Sequence, residues 1–311
     1  MSATPYFSCS ADVFAWIAQF INMGRGQSYK SFRLDRMKVL CDLAGNPEKS
    51  TPAIHVAGSK GKGSVTGMTT AIMEAAGIKT ARYTSPDVME KRERITVGNR
   101  FFEEPVYVEA GRELAATAEK LHTLAGPEAH LFDPSQEEGE EVTFFELMTL
   151  YFFLCARYSR CEAMVVETGM GGRLDATNIL RPLATVITLI ELEHTEILGN
   201  TLGAIAGEKA GIIKPRTPLI LSAQEHEALG VFRREAQAKE APLLYFPETA
   251  ELRDIRVSKG GTRFGLRFLA GNKFFDKDEL ALAIQIPGEV QAMNAGLAVL
   301  AAKQAFPQVT A

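Results

Sequence analysis

Apolar residues recur at helical spacing along much of the chain, with polar residues between them. The first such stretch follows Ser10, which is predicted to cap a helix, and its apolar face comprises Val13, Phe14, Ile17, Phe20 and Ile21. The same periodicity predicts helices over residues 33–43, 64–76, 105–124, 201–213 and 290–306, and a long apolar helix that opens at residues 143–146.

Short apolar runs alternate with these helices and end at glycine, proline or charged residues. They cover residues 54–57, 80–85, 163–167, 184–190, 218–221 and 242–246. Continuous apolar runs of this length are typical of strands buried on both faces of a parallel sheet. The chain is therefore predicted to be an α/β protein with a mostly parallel sheet flanked by helices.

The pattern changes from about Leu252 onwards. Residues 252–257, 262–269 and 280–286 alternate between apolar and polar positions and are joined by turns rich in glycine and lysine. Alternation with a period of two is typical of short antiparallel strands. We expect a small antiparallel β appendage over about residues 245–287, attached to one large domain that spans residues 1–311.

A glycine-rich turn separates the strand at 54–57 from the helix at 64–76. The turn runs from Gly58 to Gly63, and it can direct backbone N–H groups and the positive end of the helix dipole toward a phosphate. Lys62 adds a full positive charge. The strict P-loop pattern is not met, because Val56 stands at its first glycine and Gly63 at its Ser/Thr position. Another side chain must supply the hydroxyl that holds Mg²⁺.

Several chemical groups converge at the carboxyl edge of the predicted sheet, where parallel α/β sheets bind ligands. Ser85 lies at the end of one strand, Glu167 ends another, and Glu193 and His194 follow a third. A phosphate cradle with a hydroxyl, a carboxylate and an imidazole suits a Mg²⁺–nucleotide site, because Mg²⁺ takes few protein ligands and keeps phosphate oxygens and waters. Ser85 is the predicted substitute for the missing hydroxyl.

Thr143 and Glu146 are open to two interpretations. A threonine followed three residues later by a glutamate, before an apolar run, is the signature of a helix capping box. The same two residues could instead contact a ligand, and the sequence does not decide between these roles.

Composition narrows the class of protein. The chain has 311 residues, of which 46% are hydrophobic and 23% charged, and its net charge is -4. An acidic balance favours neither nucleic acid nor an anionic membrane as partner. We expect no signal peptide, no membrane span and, from four scattered cysteines, reduced thiols in a cytoplasmic protein.

Six stretches carry a resemblance to a known family. The chain resembles the folylpolyglutamate synthase/dihydrofolate synthase family of the Mur ligase superfamily, in order and over nearly its whole length. The stretches are His55-Val-Ala-Gly-Ser-Lys-Gly-Lys-Gly-Ser64, Tyr83-Thr-Ser-Pro86, Glu93-Arg-Ile95, Glu167-Thr-Gly-Met-Gly-Gly-Arg-Leu-Asp-Ala-Thr-Asn178, Leu198-Gly-Asn-Thr-Leu202 and Glu208-Lys-Ala-Gly-Ile-Ile-Lys-Pro215.

The resemblance implies roles for individual residues. The phosphates of ATP would be held by Ser59, Lys60, Gly61, Lys62, Gly63 and Ser64, and adenine would be contacted near Asn294. Mg²⁺ would be bound by Ser85, Glu167 and His194, and a second ion by a carbamylated Lys209, whose alternative reading is a helix-surface lysine paired with a glutamate. The pterin site would be lined by Thr143, Phe144, Phe145, Glu146, Leu174 and Asp175, with a lid around Ser31–Leu34.

The implied reaction has two steps and depends on Lys62, Lys209 and His194. A carboxylate of dihydropteroate or a reduced folate attacks the γ-phosphate of ATP and forms an acyl phosphate, which the amine of L-glutamate then attacks. The implied cofactors are ATP and two Mg²⁺ ions, and the implied partners are these small molecules, with no nucleic acid and no membrane, in a monomer.

The chain departs from the family pattern at three positions and in one larger respect. Lys60 replaces an asparagine, Glu193 an aspartate, and Val290 a histidine near the adenine site. The family's separate C-terminal domain is expected to be absent, which would make this chain the N-terminal ATP-binding part. Two alternatives therefore stay open: another Mur-type peptide ligase, and a nucleotide-binding module without turnover.

Overall fold

The structure is a computed structural model that describes residues 5–24, 34–121, 123–132, 142–269 and 276–310. The helices are α1 (Ser10–Ala18), α2 (Leu34–Leu43), α3 (Lys62–Ala75), α4 (Glu104–Leu121), α5 (Phe144–Tyr158), α6 (Thr195–Leu198), α7 (Leu202–Ala210), α8 (His226–Ala238), α9 (Phe246–Thr249) and α10 (Glu289–Ala305). The strands are β1 (Ala53–Ala57), β2 (Thr80–Tyr83), β3 (Ile95–Val97), β4 (Arg100–Phe101), β5 (Ala163–Glu167), β6 (Ala184–Ile187), β7 (Leu219–Leu221), β8 (Leu243–Tyr245), β9 (Ala250–Ser258), β10 (Gly261–Phe268) and β11 (Glu279–Ile284).

An eight-stranded sheet forms the centre of the molecule, in the order β4-β3-β2-β5-β1-β6-β7-β8. Strands β1, β2, β5, β6, β7 and β8 are parallel, which confirms the predicted fold class. Strands β3 and β4 extend one edge in the antiparallel sense. The six parallel strands direct their carboxyl ends to the same edge, so Ser85, Glu167 and the segment after β6 are brought together there.

Helices cover both faces of the sheet because successive strand residues point to opposite sides. Along β5, Met164 and Val166 belong to a core shared with α1, α4 and α5, whereas Val165 belongs to a core shared with α3 and α10. A third core lies under α7 and α8, next to β7. Strands buried on both faces explain the continuous apolar runs in the sequence.

The predicted β appendage is a three-stranded antiparallel sheet in the order β11-β10-β9. Its inner face carries Phe264, Leu266 and Phe268, which pack into the same core as α10. The appendage is thus continuous with the core of the main sheet through α10.

One local prediction is wrong. Ser10 does not cap α1, since Cys9 occupies the N-cap position. The backbone N–H and hydroxyl of Ser10 donate instead to the carboxylate of Glu104, at 2.7 and 2.8 Å. Glu104 is the first residue of α4, so the contact joins two helices that are distant in sequence.

The remaining predictions concern the lid, the cysteines and membrane spans. Of the lid expected around Ser31–Leu34, only Leu34 is described. The four cysteines carry free thiols. None of the helices in the described ranges combines the length and the apolar character that a membrane span requires.

Candidate nucleotide and metal site

The turn between β1 and α3 requires glycine at two positions. Gly58 has φ +148°, and a Cβ atom there would lie 1.8 Å from Oγ1 of Thr188. Gly61 has φ +88°, and a Cβ atom there would lie 2.6 Å from Oδ1 of Asn294. Any side chain at either position would clash and adopt a disfavoured backbone conformation, so the turn follows directly from its glycines.

Hydrogen bonds fix the first half of this turn against the segment after β6. The N–H groups of Ser59 and Lys60 both donate to the carbonyl oxygen of Leu189, at 2.9 and 3.2 Å. The Ser59 hydroxyl donates to the carbonyl oxygen of Glu191. These two N–H groups therefore face the protein, and the amides available to a phosphate are those that open α3, from Gly61 to Ser64.

Lys62 is the first residue of α3, and its side chain curls back over the turn. Its Nζ donates to the carbonyl oxygen of Gly58 at 2.8 Å and to that of Ser59 at 3.4 Å. The ammonium group therefore lies over the same turn whose glycines shape the cradle.

Glu167 ends β5 and is only 4% exposed. Burial raises the pKa of its carboxyl group to about 7, although the charge of Lys62 and an N–H group of Ser85 at 3.4 Å both act to lower it. A Cβ atom on Gly63 would lie 3.5 Å from the carboxylate, which therefore lies beside the first turn of α3. A buried carboxylate this poorly neutralised is suited to a cation.

The candidate metal ligands are few. The described residues contain no cluster of three or more His, Cys, Asp or Glu side chains placed to hold a metal ion. Ser85 and His194 line the same cavity as Lys62. The Glu167 carboxylate accepts a hydrogen bond from the N–H group of Ser85. A hydroxyl, a carboxylate and an imidazole make an incomplete cage, which fits Mg²⁺ only if phosphate oxygens and waters complete its coordination.

The cavity at this edge has a volume of about 430 Å³. It joins residues of both predicted sites: Lys62, Ser85 and His194 at one side, and Phe145, Leu174 and Asp175 at the other. A pocket with apolar walls and a few convergent polar groups is the usual form of a small-molecule site.

Asp175 organises one wall of this cavity. Its Oδ2 accepts hydrogen bonds from the N–H groups of Gly169 and Met170, at 2.9 and 3.2 Å, and its Oδ1 accepts from Thr177. Burial raises the pKa of Asp175, and these hydrogen bonds act in the opposite direction. The hydroxyl of Thr177 in turn contacts Nε2 of the buried His55 at 2.8 Å. The sequence did not single out His55 as a support of this wall.

The start of α5 confirms the capping box. The Thr143 hydroxyl caps the helix, and the Glu146 carboxylate accepts from the Thr143 N–H at 2.8 Å. Glu146 also forms a buried ion pair with Arg36 at 2.9 Å. The structure thus gives Thr143 and Glu146 structural partners, whereas Phe145 lines the cavity and Phe144 lies beside two cations.

Lys209 is not the helix-surface lysine of the alternative interpretation, since its side chain is 1% exposed. Its Nζ donates to the Gly58 carbonyl oxygen at 2.9 Å and to Oε1 of Glu193 at 2.8 Å. Burial lowers the pKa of Lys209, and the neighbouring Glu193 acts to raise it. The adjacent Glu208 pairs instead with Arg173. Lys209 therefore contacts the glycine-rich turn between β1 and α3 through the Gly58 carbonyl oxygen.

Arg94 was singled out only as part of a resembling stretch, yet it lines the cavity. Its Nε forms an ion pair with Asp87. Apart from that stretch, the signal in the sequence is the group of charged residues that follows Pro86 at the carboxyl edge.

Known proteins are similar in sequence to most of this chain. A profile of the Mur ligase middle domain matches residues 108–302. The chain is 33% identical over 298 residues to the dihydrofolate synthase/folylpolyglutamate synthase of Bacillus subtilis, and the match covers 96% of this chain and 64% of that protein. It is 34% identical over 281 residues to the protein of the same name from Mycobacterium tuberculosis, and the match covers 88% of this chain and 55% of that protein.

Solved structures give the same result. An FPGS–AMPPCP–folate complex superposes with a TM-score of 0.83 at 27% identity, covering 96% of this chain and 67% of that one. The folylpolyglutamate synthase of Mycobacterium tuberculosis complexed with ADP superposes with a TM-score of 0.79 at 28% identity, covering 97% of this chain and 66% of that one. The chain thus spans 64% or less of the length of the two relatives compared by sequence.

Proposed function

This chain belongs to the Mur ligase family through its middle domain, and we propose that it carries the ATP site of a ligase of folate metabolism. The ligase would join L-glutamate to a carboxylate of dihydropteroate or of a reduced folate. The observation that carries the proposal is that one and the same cavity is lined by Lys62 and Ser85 and by Phe145 and Asp175. We assign residues 1–311 to the central, ATP-binding part of such an enzyme.

ATP would bind with its phosphates on the turn after β1. The opening N–H groups of α3 and the ammonium of Lys62 would neutralise them. Asn294 is buried and touches Gly61, which supports a place for the adenosine end beside the start of α10. The neighbouring Val290 is 65% exposed, so it would offer only an apolar surface there.

Mg²⁺ would be held by Ser85, Glu167 and His194 together with phosphate oxygens. When bound, it would neutralise the charge that develops on the transferring phosphoryl group. Ser85 would take the place of the P-loop hydroxyl that Gly63 lacks, and the Glu167 carboxylate would give up the proton that burial favours.

The residues of this chain would contribute to the reaction mainly by positioning the substrates. A substrate carboxylate attacks the γ-phosphorus of ATP, so ADP leaves and an acyl phosphate forms. The amine of glutamate then attacks the acyl carbon, the phosphate leaves, and the amine loses a proton. Lys62 would stabilise the phosphoryl oxygens, and the wall set by Phe145, Leu174 and Asp175 would hold the substrate and limit access of water to the acyl phosphate.

The proposal is tested by supplying the protein with MgATP, L-glutamate and either dihydropteroate or a reduced folate. We expect release of ADP that requires both the pterin substrate and glutamate, and a product one glutamate heavier by mass spectrometry. ADP release that responds only to a different acid would favour another Mur-type ligase. ATP binding without ADP release under any of these conditions would favour a binding module.

Lys209 is proposed to carry a carbamate that binds a second Mg²⁺ ion. Carbamylation requires a neutral amine, and burial lowers the pKa of Lys209 in that direction. We expect ¹³C-bicarbonate at pH 8 to give a carbamate NMR signal in the parent protein. The signal should be lost in Lys209→Arg and kept in the exposed-lysine control Lys49→Arg. A spectrum without the signal in the parent protein contradicts the assignment.

A further inference from the structure

The connection between β2 and β3 is a preorganised loop, which we call the 84–94 loop after its residues. The carboxylate of Glu93 accepts hydrogen bonds from the N–H groups of Val88 at 2.8 Å, Met89 at 3.2 Å and Glu90 at 3.4 Å. The loop is closed at its base by the Thr84 N–H, which donates to the Arg94 carbonyl oxygen at 3.0 Å. Side chains on this loop are therefore presented from a fixed backbone.

Two cations of the 84–94 loop lie against one aromatic ring. Nζ of Lys91 is 5.3 Å from the centroid of the Phe144 ring, and Cζ of Arg94 is 5.5 Å from it. Arg94 is 14% exposed and pairs with Asp87. Within the described ranges, no carboxylate lies within ion-pair distance of Lys91. The ring thus has two cations beside it and one carboxylate to neutralise them.

Arg92, which follows Lys91 in the loop, has different partners. Arg92 pairs with Glu90 at 2.8 Å and with Glu104 at 3.4 Å, and it stacks on Phe101 instead of Phe144. Its charge is satisfied within the protein and has a structural explanation. Lys91, on the same short stretch of backbone, has the Phe144 ring beside it and the charge of Asp87 nearby, but no ion pair among the described residues.

The two cations of the 84–94 loop line different concave surfaces. Arg94 lines the cavity of about 430 Å³ that holds Lys62 and Ser85. Lys91 lines a groove of about 490 Å³, together with Phe14 and with the ion-paired side chain of Arg92. Phe144 has one cation from each surface beside its ring, so a ligand that extended from the cavity past Arg94 and across this ring would come close to Lys91.

We propose that Lys91, with Phe144 and Arg94, forms a subsite that binds a carboxylate in the acidic part of the substrate outside the reacting centre. The inference rests on the proposed function. Dihydropteroate carries only the carboxylate that reacts, whereas each glutamyl residue of a folate adds a carboxylate that does not react. An ammonium beside an aromatic face and a second cation is attractive to such a group. Lys91 would therefore set the preference for glutamylated substrates.

The test compares ligands that differ in their number of non-reacting carboxylates. Dissociation constants for dihydropteroate, a reduced folate monoglutamate and its triglutamate are measured by calorimetry with Mg²⁺ and a non-hydrolysable ATP analogue. We expect Lys91→Met to weaken the two glutamylated ligands about three- to tenfold, as for one partly exposed charge contact, and to leave dihydropteroate unchanged. Lys91→Arg should restore most of the loss.

The matched control is Lys49→Met, which removes an exposed lysine at the opposite edge of the sheet, before β1. It should affect none of the three ligands. Equal losses for all three ligands in Lys91→Met, or no difference between the Lys91 and Lys49 variants, would overturn the subsite while the proposed function stands. If the parent protein bound the ATP analogue but none of the three ligands, the proposed function would fall, and the subsite with it.

Discussion

Replacing Lys62 with methionine is expected to weaken MgATP binding by roughly 10- to 150-fold. The ammonium lies over the turn proposed to hold the phosphates, and a charge-assisted contact of this kind contributes about 1.5–3 kcal/mol. Its present partners are two backbone carbonyl oxygens, which a phosphate oxygen would replace. Isothermal titration with MgATP and with MgADP measures the loss, which should be larger for ATP if the lysine, as proposed, contacts the outer phosphates.

Two further variants show whether this loss is specific. Lys60→Met removes the exposed neighbour on the same turn and should cost less, because the Lys60 backbone faces Leu189 and its side chain lies in solvent. Lys79 lies before β2, at the other end of the sheet, so Lys79→Met should leave the affinity for MgATP unchanged. Unaltered MgATP binding in Lys62→Met would mean that the turn after β1 is not the phosphate site.

The parallel sheet could be predicted because its strands carry strong local signals. The run from Ala163 to Glu167 is apolar, short and bounded by charged or glycine-rich segments, and β5 has those limits in the structure. The edge strands β3 and β4 were not predicted, since they have three and two residues and are too short to show periodicity. Their pairing depends on β2 as a template.

At the site, the contacts that could not be predicted from the sequence are mainly those between side chains far apart along the chain. The capping box of Thr143 and Glu146 is a local pattern and was visible, but Arg36, 110 residues away from Glu146, was not. Lys209 has Glu208 beside it in the sequence, yet its partner is Glu193, which comes from the segment after β6. The resemblance pointed to Glu146 and Lys209 but not to Arg36, and only the packing of α2 on α5 and of α7 on the sheet decides which charges meet.

Replacing Glu167 with glutamine is expected to stabilise the metal-free protein at pH 8 and to abolish the benefit of Mg²⁺. Burial raises the pKa of this carboxyl group from 4.5 to about 7, so at pH 8 the folded protein holds a buried, ionised carboxylate. Glutamine has nearly the same shape and no charge. The raised pKa means that ionised Glu167 lowers the free energy of unfolding by an amount on the order of 3 kcal/mol. The Glu167→Gln variant should recover part of this loss.

The size of this stabilisation depends on pH. Between pH 4.5 and 7 the folded state keeps the proton of Glu167 while the unfolded chain loses it, so the stability from this group falls as pH rises and is lost above pH 7. The stability gain of Glu167→Gln should therefore be small at pH 5 and on the order of 1–3 kcal/mol at pH 8. Urea unfolding at both pH values, without nucleotide or metal, measures it.

The same variant should lose the metal dependence of nucleotide binding. In the parent protein Mg²⁺ would replace the proton of Glu167, so affinity for ATP should rise when Mg²⁺ is added at pH 8. In Glu167→Gln the neutral amide is a poor ligand for Mg²⁺, and ATP should bind about equally with and without the ion. The exposed Glu235, which pairs with Lys239 along α8, provides the control Glu235→Gln, which should keep both the parent stability profile and the metal effect. A Glu167→Gln protein that is less stable at pH 8 than the parent, or that still binds ATP more tightly with Mg²⁺, would show that this carboxylate supports the fold rather than a metal ion.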